Sequence, residues 1–373
     1  MSPSSAPRRT PALFALILAV VAATGAHAQG DRGQSRGGVR WTNVFGRDDS
    51  WYAGEDAVRI ADNVLLYQHS NGGWPKNVDM ARTLSDAEKE RLEKNRDRSE
   101  TIIDNGATHT QIRLLAKVYG ATREERFADG CRRGIEFVLE AQYENGGWPM
   151  IFPLQEGYYS HITFNDGAMI GVMRLLRDVA KGEEPFEFLD AATRERATAA
   201  IAKGLEVILK CQIVVDGTPT AWCAQHDELD FSPAKARTYE LPSISGQESI
   251  GIAEYLMAID DPSPEIRAAI RNAVAWFEVA KINGMRIDRV RAPGLDPPRD
   301  VVMVEDADAG PLWARFYEID TNRPMFVGRD GIVHDRLADI EHERRTNYAY
   351  VGSWARDLLE RKFPAWQEKW GDK

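Results

Sequence analysis

Two acid–amide pairs, Asp104-Asn105 and Asn165-Asp166, stand at the starts of predicted helices, each after a loop and each followed by Gly-Ala. At such positions Asp and Asn ordinarily cap the helix, each contributing ~1 kcal/mol. Two pairs in equivalent segments allow a second use. If the helix starts lie side by side, their carboxylate and amide oxygens make a hard-oxygen site suited to Ca²⁺, with Mn²⁺ also compatible. Two formal charges hold a cation weakly and leave coordination places for an anionic ligand. His109 and His161 flank the pairs, match no zinc spacing and read as loop or packing histidines.

Arginine dominates the C-terminal third: Arg286, Arg289, Arg291, Arg299, Arg315, Arg323, Arg329, Arg336, Arg344 and Arg345. A surface ion pair is the default reading of any one of them. Arg237 differs, because it lies in a long polar loop (DFSPAKARTYELPS) that the repeat described below turns toward the same end as the acids. Arginines gathered in an acidic chain suggest an anionic ligand held by bidentate carboxylate contacts. Trp74, Trp148, Trp222, Tyr158 and Tyr159 offer apolar faces for sugar rings, with core packing the competing reading for the tryptophans.

The elements that must position these groups are helices. Apolar spacing predicts helices over 54–69, 106–120, Glu124–Gln142, Gly167–Ala180, Ala191–Cys211, Glu248–Ala258, Pro264–Ile282 and Tyr348–Glu360. The charged stretch LSDAEKERLEKNRDRSE reads as a solvated helix, and 283–346 as irregular with strand-like pieces RIDRV and DVVMV. The segment Q-x-x-N-G-G-W-P occurs at Gln68–Pro75 and again at Gln142–Pro149, with a degenerate copy from Gln212 through Gly217 to Trp222. Glycine turns the chain after a helix, and proline prevents the helix from resuming. The D/N-capped segments repeat too, Asp104 to Leu115 matching Asn165 to Leu176. The third copy keeps Ile250-Gly251 and has lost the acids. Hairpins repeated with their loops on one face imply an all-α fold, an α/α toroid of about three helical hairpins with the irregular section over one end.

Arg8-Arg9, the apolar run Ala12–Ala23 and Ala26-His27-Ala28 make a secretory signal over 1–28. A mobile lead follows at 29–50, then a single domain over 51–373. The net charge of −10, or −12 once Arg8 and Arg9 are gone, argues against nucleic acid as a partner. No later segment reads as membrane-spanning, and a monomer is expected. Cys211 and Cys223 could pair in an oxidising compartment, or all three cysteines could be buried thiols.

The runs NGGWPKN (71–77), TIIDNGATHTQIRLL (101–115), NGGWPMIFP with YYSHITFNDGAM (145–169), AWCAQHDELDFSPAKARTYELPS (221–243), and EDADAGPLWARFYEIDTNRPMFVGRDG with EHERR (305–345) resemble the family-ten pectate lyases. The resemblance covers about 50–370. It implies an α/α toroid, bacterial secretion, and cleavage of polygalacturonate by Ca²⁺-assisted β-elimination. It further implies Asp104, Asn105 and Asp166 around the metal and Arg329 as the general base. Arg315, Arg344 and Arg237 become substrate contacts. An arginine base is physically awkward, since its pKa exceeds 12, and needs neighbouring positive charge to favour the neutral form.

Other readings differ in class. The Q-x-x-x-G-x-W pattern also occurs in terpenoid cyclases, but no D-x-D-D run is present. A toroidal glycoside hydrolase would use two carboxylates, Asp104 with Asp166 or Asp306 with Asp308. A non-catalytic protein would bind acidic glycans without turnover.

Overall fold

Each turn of the repeat is closed by the same two side chains. The indole N–H of Trp74 donates to the Val64 carbonyl and that of Trp148 to the Val138 carbonyl, both at 2.8 Å and ten residues back in the preceding helix. Trp222 does the same to Ile208 at 2.7 Å. The Gln68 amide ties the Gly72 carbonyl to that of Gly130, Gln142 ties Gly146 to Ala200, and Gln212 ties Thr220 to Ala269. Each glutamine thus fastens its turn to the next helix out. Gly72 and Gly146 have φ of +93° and +101°, and a Cβ there would stand 2.3 and 2.4 Å from the carbonyl oxygens of Arg133 and Lys203. Only glycine fits both demands. A fourth tryptophan, Trp313, donates to the Phe277 carbonyl at 2.9 Å. The 36 residues between these partners hide this copy from a sequence comparison.

The computed structural model describes residues 39–98 and 100–371. The signal over 1–28 and the first ten residues of the expected lead, 29–38, lie outside the described residues. Helices α1 (Glu55–Tyr67), α2 (Asp86–Lys94), α3 (His109–Thr122), α4 (Glu125–Glu140), α5 (Ala168–Lys181), α6 (Ala191–Lys210), α7 (Glu248–Met257) and α8 (Pro264–Val279) follow in order. The charged α2 is the expected solvated helix, opened by a capping box of Ser85 and Glu88. Helices α3 with α4, α5 with α6, and α7 with α8 pack as pairs. Helices α1, α3, α5 and α7 neighbour one another, and α4, α6 and α8 form a second row. Burial follows this order. Eight residues of α5 are buried, nearly all round, whereas α6 buries a stripe of Ala197, Ala200, Gly204, Val207 and Ile208.

The expected all-α toroid is corrected by the strands. About 46% of the chain is helix and 13% strand, the latter in small antiparallel pairs. Three pairs stitch successive loops: Thr101–Ile102 with Ile151–Phe152, Ile162–Thr163 with Gln225–His226, and Ile244–Ser245 with Phe316–Tyr317. Strands of two residues leave no alternation to detect, so helical periodicity and the repeated hairpins, together with the family resemblance, carried the expectation. The strand-like pieces RIDRV and DVVMV form a longer hairpin, Met285–Arg291 against Arg299–Glu305. The closing helix expected over Tyr348–Glu360 is displaced. Val351–Gly352 pairs with Trp313–Ala314, the helix starts only at Arg356, and after a wider turn over Leu358–Lys362 it ends in Phe363–Trp370. Cys131, Cys211 and Cys223 are all free and buried. Among the described residues, no helix is long and apolar enough to cross a membrane.

Trp313→Phe removes the indole donor and leaves the buried Phe277 carbonyl unpaired. Loss of about 2–4 kcal/mol of stability is expected in denaturant unfolding. An unchanged midpoint would show that this fourth turn carries no structural weight.

Candidate active site

The strand pairs act immediately before the acid motifs. The Trp74, Trp148 and Trp222 carbonyls accept the N–H groups of Ile102, Thr163 and Ser245. The residue two places after the tryptophan of the following turn also accepts from each motif. Met150 takes the N–H of Ile103, Ala224 those of Phe164 and Asn165, and Arg315 that of Gly246. The starts of α3, α5 and α7 are thereby brought together by backbone hydrogen bonds.

Asp104 and Asn165 occupy the same place in their repeats, and both are buried. Asn105 and Asp166 follow in left-handed conformations, with φ of +53° and +48°, which Asn and Asp tolerate best among non-glycine residues. The Asn165 amide lies between the two carboxylates. Its Nδ2 is 3.5 Å from Asp104 Oδ1 and 3.0 Å from Asp166 Oδ2. Asn105 is exposed and donates to Asn77 Oδ1 at 3.2 Å. Sequence reasoning named Asp104, Asn105 and Asp166, whereas the bridging amide belongs to Asn165.

Sequence reasoning also missed Glu248. The third repeat has not lost its acid. Glu248 stands at the start of α7, where the earlier copies have Ala107 and Ala168, and only 7% of it is exposed. Burial pushes its carboxyl up to about 7, Arg315 opposes this, and Asp166, Asp104 and Glu240 add to the rise. The Arg315 Nη2 group reaches Glu248 Oε1 at 2.8 Å, Asp166 Oδ1 at 3.2 Å and Asn165 Oδ1 at 3.5 Å. Burial works to lower the Arg315 pKa, but Glu248, Tyr348 and Asp166 outweigh it and hold the guanidinium above the ordinary arginine value. Lys76 plays the matching part on the other side, with Nζ 2.5 Å from Asp104 Oδ2. Lys76 and Arg315 both sit two residues beyond a turn tryptophan. That shared offset is the signal that could have found Lys76.

The structure also gathers the arginines expected at the site. Arg315, Arg344, Arg237 and Arg329 lie over the faces of Tyr348 and Tyr239, at 4.5 Å for Arg315 on Tyr348 and 3.8 Å for Arg344 on Tyr239. Arg344 is fully buried, and its two terminal nitrogens have no hydrogen-bond partner among the described residues. Arg237 is paired with Glu240, which also accepts from the Tyr348 hydroxyl at 2.9 Å. Burial tends to raise the Glu240 pKa, but Arg237 and Tyr348 hold it below the usual carboxylate value. Arg329 is half-exposed and forms a bidentate pair with Glu343 at 3.0 and 3.2 Å. That pairing raises its pKa further.

Other expected groups fall elsewhere. Trp74, Trp148 and Trp222 are wholly buried and serve the turns, leaving Tyr158 and Tyr159 as the available aromatic faces. Asp306 accepts from Arg286 and from the backbone of Asp308 in an exposed turn. His161 is tied to Glu228 at 3.1 Å, and with Asp227 these side chains bring ligand atoms within 4.8 Å of one another, a group that could hold a metal.

Clustered carboxylates, amides and guanidinium groups suit an anionic sugar polymer, and solved structures bear on which one. A mutant family 10 polysaccharide lyase from Cellvibrio cellulosa, in complex with trigalacturonic acid, is 34% identical with a TM-score of 0.73, over 87% of this chain and 96% of that one. A family 10 polysaccharide lyase from the same organism is 33% identical with a TM-score of 0.72, over 86% and 94%. No curated protein matches the sequence. Fold and site thus place the chain among the polysaccharide lyases. A profile of the pectic acid lyase family matches residues 68–359, and the chain belongs to that family as a pectate lyase.

His226 supports the Ala224 carbonyl that holds Asn165. Its Nδ1–H donates to the Phe231 carbonyl at 2.8 Å and its Nε2 accepts the Cys223 N–H at 3.0 Å. Burial pushes its pKa down to about 4 from 6.5. The unfolded chain takes up this proton near pH 6.5 and the folded chain only near pH 4. Stability is therefore lost as pH falls through that window, by up to about 3 kcal/mol. His226→Gln should flatten this part of the pH dependence in chemical denaturation, and parallel curves for the two proteins would contradict it.

Proposed function

We propose that the chain is a secreted bacterial enzyme, released from a signal over 1–28 as a monomer with a lead over 29–50 and a single catalytic domain over 51–373, that cleaves polygalacturonate by Ca²⁺-dependent β-elimination. The observation that carries this reading is the hydrogen-bonded run Asp104, Asn165, Asp166, Arg315, Glu248, beside three further arginines over tyrosine faces. The donor set fits the cation. Asp104 and Asp166 face a single amide, all candidate ligands are oxygens, and Lys76 and Arg315 lie against the same carboxylates where positive charge is favoured. Asp104, Asp166 and the neighbouring amide oxygens of Asn105 and Asn165 would hold it. When bound, it supplies positive charge that stabilises the substrate's C6 carboxylate as electron density builds there.

The chain's own residues supply the rest. C5–H of a uronate is acidic because it lies α to the carboxylate. Arg315 and Arg237 bind carboxylates of neighbouring sugars and fix the ring for proton removal, and Arg344 joins them once the Tyr239 or Tyr348 ring moves off it. Arg329 takes the C5 proton, and the bond from C4 to the glycosidic oxygen breaks, leaving a C4–C5 double bond while the departing oxygen takes a proton from water. Arg237, Arg315 and Arg344, around the same tyrosines as Arg329, favour its neutral form, whereas Glu343 opposes it.

Incubation with polygalacturonate, with and without chelator, should give rising ultraviolet absorbance only in the presence of Ca²⁺. Absence of any rise from neutral to strongly alkaline pH sinks the lyase reading, and a hydrolase would release sugar ends without it. The rate should climb into alkaline pH, and an optimum at or below pH 6 counts against Arg329 as base. Because Glu343 holds the Arg329 proton, Glu343→Gln should move the rise to lower pH. Arg329→Ala should lower kcat by at least about a hundredfold.

A further inference from the structure

A cavity of about 630 Å³ runs along the segment 345–354, beside the strand Met285–Arg291. That is the size of a small-molecule site. Its floor is apolar, from Leu312, Leu337 and Met285, and its rim carries Arg286, Arg289, Arg345 and Arg356. None of its lining residues is acidic, although acids outnumber bases 57 to 47 in the chain. Asp288 and Asp306 neutralise Arg286, and Asp300 holds Arg345 in a bidentate pair at 2.7 Å. Arg289 and Arg356 form no ion pair among the described residues. Their positive charge stands in the cavity lining with no carboxylate paired to it among the described residues.

Two glycines in the wall have a reason of their own. A Cβ on Gly310 would stand 2.3 Å from Arg356 Nη2, and one on Gly352 would stand 2.4 Å from Trp354 Cε2. Neither glycine has positive φ, so close approach rather than backbone conformation explains them. They leave room for the Arg356 guanidinium and the Trp354 indole at the cavity lining. The Thr346 hydroxyl, also in the wall, has no hydrogen-bond partner among the described residues.

We propose that this cavity is a second binding site for an acidic sugar, separate from the site of cleavage. Arg289 and Arg356 hold the uronate carboxylate, and Trp354 covers a face of the ring. The choice of galacturonate as ligand rests on the polygalacturonate reading above. The site's task is to keep the polymer on the enzyme between cleavages.

The test is the double variant Arg289→Ala/Arg356→Ala of the full chain, with Trp354→Ala as a second. Retardation in native gels containing polygalacturonate and chelator reads polymer binding, and ultraviolet absorbance reads turnover of trigalacturonic acid. The double variant should bind polymer more weakly, by about tenfold for each lost contact, with trigalacturonate turnover within about twofold of wild type and an unchanged unfolding midpoint. Retardation equal to wild type overturns the proposal. So does a parallel loss of trigalacturonate turnover, which would make the cavity part of the cleavage site. Equal retardation by fully methyl-esterified polymer excludes recognition of the carboxylate. If the double variant unfolds early, Trp354→Ala decides on the same two readouts. If neither wild type nor variant forms ultraviolet-absorbing product while their retardation differs, the lyase reading fails and the second site stands.

Discussion

The structure depends on where the carbonyl of each turn tryptophan points. Its indole is buried and fixed to the preceding helix, so the ring cannot rotate without leaving a helix carbonyl unpaired in the core. Its own carbonyl then receives the strand that leads into the next motif. Loop and helix are thereby locked by one residue. A site assembled from loops alone would be free to shift, whereas here the N–H groups just before Asp104, Asn165 and Glu248 are tied to the turns on both sides. Short strands in a largely helical chain do this work because a helix start cannot bond sideways to another helix start. An extended pair can.

Charge is arranged on that frame under strict compensation. Burial, with Asp166 and Asp104 adding to it, pushes Glu248 up to about 7, and each carboxylate nonetheless has a cation against it. Removing one partner of such a buried pair is costly because the other stays desolvated. Arg344 is the exception. It is enclosed by aromatic faces, which attract the cation but accept no conventional hydrogen bond from its terminal nitrogens. The arginine expected to touch substrate is therefore covered by Tyr239 and Tyr348.

Much of this was legible in the sequence, and the misses have physical causes. The turn repeat is visible because glycine, tryptophan and proline are each required by one geometry. Helix positions followed from apolar spacing, with the closing helix misplaced because Val351 and Leu358 fit a helical period although a strand intervenes. Glu248 escaped because it is displaced within the repeat, so a register match finds alanine in the other copies. The arginine cluster could not be derived from spacing at all. Arg237, Arg315, Arg329 and Arg344 come from separate irregular segments, and only the family resemblance named them together. The pairing of Arg329 with Glu343 is a tertiary fact that no motif announces.

The position two residues past each turn tryptophan has a wider meaning. It holds Lys76, Met150, Ala224 and Arg315, two cations and two apolar residues, in backbone settings fixed by the same turn. The tryptophan and the strand pair carry the architecture, and this one side chain per repeat is left free to vary. The two cationic slots abut the acids, while Ala224 borders a small space beside Asn165. Electrical character and mechanical integrity are thus written at different residues. A lineage, or an engineer, can rewrite the charge of the cleft slot by slot while the scaffold stays as it is.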